Sequence, residues 1–135
     1  MNFLYYVKLY LATCVAFFAV DMIWLGLLAK GFYRKYLGYL MRPRPLWPAA
    51  ILFYMVFVAG ILIFCVIPAR QHGTLARALL LGALFGFFTY ATYDMTNLAT
   101  IRDWPLKVTV VDIVWGSFLC AVTAGFSFWV SGLFK

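Results

Sequence analysis

Asp21, Asp94 and Asp112 each stand inside a long apolar stretch of this chain, and they are three of its four acidic residues. A carboxylate at the centre of a membrane-spanning helix costs about 2.5–3.5 kcal/mol by insertion measurements. Three of them are therefore expected to turn inward and interact. Carboxylates held close together repel one another, and a shared proton, a bound metal or an organic cation would each relieve that repulsion. A metal, if one binds, would take Asp21, Asp94 and Asp112 as its ligands. The fourth acid, Asp103, sits beside Arg102, where a solvated partner is the ordinary reading.

The spacing to the nearest cations gives the depth of each carboxyl. At the rise of an α-helix, Asp21 is about 13 Å from Lys30, Asp94 about 12 Å from Arg102, and Asp112 about 8 Å from Lys107. All three distances run to the first and third loops, so the carboxyls are expected at comparable depth near one membrane face. Their neighbours are polar or aromatic. Tyr90, Tyr93, Asp94 and Asn97 fall within an arc of roughly 100° on one helix. Gly82 and Gly86 extend that stripe and suit close helix approach. Val-Asp-x-x-Trp occurs twice, at Asp21 with Trp24 and at Asp112 with Trp115. One turn of helix places each indole on the face of its own Asp, where the N–H can donate to a carboxylate and the ring can receive a cation. The bland alternative is that these aspartates accept hydrogen bonds and set helix register; such interhelical contacts average about 0.6 kcal/mol.

The elements that must carry these residues are helices. Of 135 residues, 67% are hydrophobic and 11% charged, against about 25% charged in a soluble domain. Four stretches reach the length needed to cross a bilayer: about Leu4 to Ala29, Pro48 to Ile67, Leu75 to Leu98, and Leu106 to Leu133. Open sheet edges cannot face lipid, so the fold class is an all-α membrane protein, a four-transmembrane-helix bundle in a single domain. Lys30-Gly31 is expected to end the first span and Pro68 the second, with Pro105 in the first turn of the fourth. The N-terminus lacks a cationic segment followed by a small-residue cleavage site, so Phe3 onward is expected as a retained helix.

The net charge of +7 would suggest nucleic acid in a soluble chain. Here the cations crowd short loops, which points to membrane topology and the lipid bilayer, with no nucleic acid expected. Loops one and three carry Lys30, Arg34, Lys35, Arg42, Arg44, Arg102 and Lys107; the opposite side has Lys8, Arg70, Arg77 and Lys135. That asymmetry puts loops one and three in the cytoplasm and both termini outside. Within loop one, Phe32, Tyr33, Tyr36, Leu37 and Leu40 recur at helical spacing around Arg34 and Lys35, as in a short interfacial helix ended by Arg42-Pro43-Arg44-Pro45. Arg34, Arg102 and Lys107 are the candidate headgroup contacts. Asp21-Met22 and Asp94-Met95, each followed by a Trp-Pro pair opening the next helix, form a faint internal echo. Cys14, Cys65 and Cys120 stand singly in apolar runs and His72 is the lone histidine, which suits packing better than metal binding.

The run from Tyr90 to Pro105, with its Tyr93-Asp94-Met-Thr-Asn97-Leu-Ala-Thr block, followed by Val111-Asp112-Ile-Val-Trp115-Gly116, resembles DUF2177, a family of bacterial membrane proteins named for its unknown function. Asp21-x-x-Trp24-Leu-Gly26, Phe32-Tyr33-Arg34, Pro48-Ala49 and Phe53-Tyr54 fit it too. The resemblance covers nearly the whole chain and implies a small protein of the bacterial inner membrane, with no activity or cofactor attached.

Three functions stay open on the residues. A transporter or ligand-binding protein would bind a cation, a small cationic ligand or protons at Asp21, Asp94 and Asp112, with Asn97, Tyr93, Tyr90, Trp24 and Trp115 around them, and so thin a bundle would call for a homo-oligomer. An intramembrane enzyme would hold a metal against a lipid phosphate, with Arg34 and Arg102 as phosphate contacts. The aspartyl protease form of that reading is disfavoured, since Asp112 follows Val110-Val111 and not glycines. A non-catalytic subunit would use the aspartates to pair with another membrane protein. Transport or ligand binding is favoured over catalysis, because no nucleotide loop, haem motif, zinc pattern or Ser/His/Asp arrangement is present.

Overall fold

The computed structural model of the chain describes residues 2–134. Lys135, counted above among the cations beside the termini, lies outside them. Four helices are long and apolar enough to span a membrane: α1 (Phe3–Leu28), α3 (Trp47–His72), α4 (Leu75–Thr100) and α5 (Leu106–Leu133). Between the first two spans lies the short α2 (Lys30–Leu37). Among the described residues there is no strand. The protein is an all-α bundle that crosses the membrane four times.

The helix ends follow local chemistry. Asn2 caps α1 through its Oδ1, which accepts from the Tyr5 N–H at 2.9 Å, and Thr74 caps α4 by accepting from the Arg77 N–H at 3.3 Å. Such side chains satisfy donors that an N-terminus leaves open. The first span ends at Leu28, in a widened π turn over Trp24–Leu28, close to the expected stop, and after a break at Ala29 Lys30 opens α2. Pro68, by contrast, does not end the second. The helix runs through it to His72 and stops at Gly73, whose φ of 72° suits a residue without a Cβ. A second π turn, Leu62–Val66, lies directly before Pro68, with the Ile67 N–H bonded to the Leu62 carbonyl. A widened turn relieves the clash between a proline ring and the carbonyl four residues earlier, here that of Phe64. The short helix in loop one also ends at Leu37, ahead of the Arg-Pro pairs expected to stop it.

The core is built where the helices meet. Leu9 and Phe17 of α1, Ile61 and Val66 of α3, and Leu119 and Cys120 of α5 form one cluster. The spans α4 and α5 pack together more extensively than any other pair. Their closeness depends on Gly82 and Gly86. A Cβ added at Gly82 would lie 2.5 Å from the Cys120 carbonyl oxygen, and one at Gly86 would collide with the Gly116 carbonyl. In its N-terminal half the first span docks on α5 through Thr13 Oγ1 to Ser127 Oγ at 2.7 Å and Tyr5 Oη donating to the Ser131 carbonyl at 3.2 Å. Large apolar side chains such as Leu27, Phe64, Leu106 and Trp129 face outward, where lipid is their solvent.

Candidate functional site

One face of α4 leads from the packing seam into the site. Ala78, Gly82, Gly86 and Asp94 are buried along it at helical spacing, with Tyr90 between the last two, its ring against Gly116. Asp94 is 1% exposed. Its Oδ1 has no hydrogen-bond partner, while its carboxyl group lies against that of Asp112. Two carboxylates are both acceptors, so this contact becomes a hydrogen bond only when one of them carries a proton.

Asp112 sits near the start of α5 and accepts from the hydroxyl of Tyr33, which α2 directs down into the bundle. The Tyr33 hydroxyl in turn accepts from Trp24 Nε1 at 3.1 Å. Burial and the neighbouring Asp112 carboxylate push the Tyr33 phenol well above its ordinary pKa, so it stays a donor at any physiological pH. Asp21 has separate partners. Tyr54 Oη donates to its Oδ2 at 2.8 Å, and Trp115 Nε1 approaches its Oδ1 at 3.4 Å.

The two Asp-x-x-Trp motifs are thus crossed. The spacing places each indole on the face of its own Asp, with an N–H able to donate to a carboxylate; the carboxylate it serves is on the other helix. Trp115 of α5 donates to Asp21 of α1, and Trp24 of α1 supports Asp112 of α5 through Tyr33. The two rings stack with centroids 4.5 Å apart and planes at 11°. The antiparallel run of α1 and α5 explains the exchange. Going one turn on from its Asp moves each indole along the shared axis toward the carboxyl of the other helix. Stacking also occupies the facing π surfaces, so no cation enters between the rings.

Asp94 and Asp112 are brought into contact. Asp21 is near enough to Asp112 for their charges to interact, but both of its oxygens are engaged elsewhere. Among the described residues no three His, Cys, Asp or Glu side chains form a group able to hold a metal ion. Tyr90 lies within electrostatic range of both Asp21 and Asp112. Tyr93 is 55% exposed, with its ring beside Trp104 and its hydroxyl toward Asn97. Arg34, Arg102 and Lys107 are exposed at the loop face; neither Arg102 nor Lys107 bends inward to the carboxyls.

Two site residues escaped the sequence reading. Tyr33 was read as part of a surface helix, and Tyr54 was named only through the family resemblance. The family resemblance, which touches Phe32-Tyr33 and Phe53-Tyr54, was the one signal that singled them out. Behind the site, Trp104 Nε1 donates to Thr109 Oγ1 at 3.1 Å, which ties the third loop to the first turns of α5.

No curated protein and no solved structure matches the chain. A family model described as a predicted membrane protein, DUF2177, matches residues 6–129, and the chain belongs to that family.

Proposed function

We propose that the chain is a small transporter or ligand-binding protein that takes up a proton or a small cation between Asp94 and Asp112. The buried Asp94 Oδ1, without a partner and beside a second carboxyl, carries this reading. Two carboxylates in such surroundings need a positive charge between them. Tyr33 holds Asp112 in place from the loop side. Asp21, with both oxygens engaged by Tyr54 and Trp115, serves to fix helix register, and Tyr90 lies between the two groups. Asn97 and Tyr93 offer neutral oxygens on the way to the loop face. In this reading the chain works as a homo-oligomer in the bacterial inner membrane, with loops one and three in the cytoplasm.

The test is a differential proton titration of purified wild type and Asp94→Asn, followed by flux into proteoliposomes under an imposed pH or cation gradient. The wild type takes up one proton, or one cation in its place, that Asp94→Asn does not, and the variant loses flux while keeping its melting temperature. A fully active Asp94→Asn protein would sink the proposal. Conversion of labelled lipid by the purified protein would move the assignment to an intramembrane enzyme.

A further inference from the structure

The loop face carries a second cluster that the carboxyl pair does not use. Tyr36 follows Tyr33 by one turn on α2 and stays at the surface. Lys107 Nζ donates to the Tyr36 hydroxyl at 3.3 Å and lies 5.5 Å from its ring centroid. Lys35 Nζ lies 5.3 Å from the same ring. The hydrogen bond from Lys107 and the charges of both ammonium groups pull the Tyr36 phenol below its ordinary pKa, and no carboxylate acts on it. Because Lys107 donates to the phenol oxygen, the phenol's own O–H remains free to donate outward. Two cations and a neutral donor converge at one point.

The position of this corner argues for a lipid over a soluble anion. Lys107 is the second residue of α5. Its predecessor Leu106 is 64% exposed, and Leu27 and Leu28, at the end of α1 that meets the same loop face, are 79% and 69% exposed. The corner therefore sits where an apolar, lipid-facing surface gives way to charge, at the level of phosphate groups in a bilayer. We propose that Lys35, Tyr36 and Lys107 together bind the phosphate of an anionic phospholipid headgroup, with its acyl chains along the exposed leucines. The site is independent of what the carboxyl pair binds.

Native mass spectrometry of the detergent-purified protein, with phosphatidylglycerol or phosphatidylcholine of identical acyl chains, tests it. A cation near an anionic lipid contributes about five-fold in affinity, so two give a preference for phosphatidylglycerol of about 25-fold. The Lys35→Gln/Lys107→Gln double variant should fall to within about two-fold while melting at the wild-type temperature, since both side chains are exposed. Equal retention of the two lipids by wild type, or an unchanged preference in the double variant, overturns the proposal. So does displacement of the bound lipid by millimolar inorganic phosphate, which would mark a site for a soluble anion.

Discussion

The α4 face that packs on α5 is really two surfaces laid end to end. From Ala78 to Gly86 it offers almost no side chain, and the backbones of the two spans meet. From Tyr90 to Asp94 it offers a phenol and a carboxyl, which reach Gly116 and Asp112. In membranes, small residues let helices approach closely and polar residues bind them across the gap. This one helix uses the first device near the termini and the second near loop three. The difference separates two jobs: the glycine seam brings the backbones of α4 and α5 together, and the carboxyl pair lies beyond it.

The seam should be the less forgiving half. Gly86→Leu drives a side chain into the Gly116 backbone and should cost about 3 kcal/mol or more, read as a collapse of the melting temperature in detergent. Were it tolerated, the division into a structural and a chemical half would fall. The polar half should respond in steps. Asp21→Ala leaves Tyr54 Oη and Trp115 Nε1 without their acceptor and should cost about 2 kcal/mol, with a change in tryptophan emission, while Asp21→Asn keeps most of the stability. Tyr54→Phe removes one donor and should cost about 1 kcal/mol in the same melt. The smallest effect sharpens the comparison by its sign. Thr123 Oγ1 is buried without a partner in the apolar part of α5, so Thr123→Val should leave stability unchanged or raise it by up to about 1 kcal/mol. Asp94 Oδ1 is orphaned as well, but its replacement by Asn should show in proton binding and flux.

Much of this was readable before any coordinates. Long apolar runs announce helical spans because a backbone in lipid must pair its own polar groups, and helix rise gave a comparable depth for the three carboxyls as an expectation. The glycine pair and the polar arc on α4 were also visible as one stripe. What could not be read is what depends on which helix stands beside which. The Asp-x-x-Trp motif says that an indole lies one turn from its carboxyl, yet the partner it meets belongs to an antiparallel neighbour. Tyr33 could not be told from Tyr36 on a short amphipathic helix, although one turns into the bundle and the other stays at the surface. Pro68 reads as a stop unless the π turn before it is known, and no residue type marks such a turn.

The crossing of the motifs also bears on how the chain is made. Synthesis runs from the N-terminus, so Asp21 enters the bilayer 33 residues ahead of Tyr54 and 94 residues ahead of Trp115. During most of biogenesis the first span carries an acid whose indole has not yet left the ribosome. Tyr54, on the next span to arrive, is its first hydrogen-bond donor. In the order of synthesis the second span therefore brings Asp21 a donor before the fourth brings Trp115.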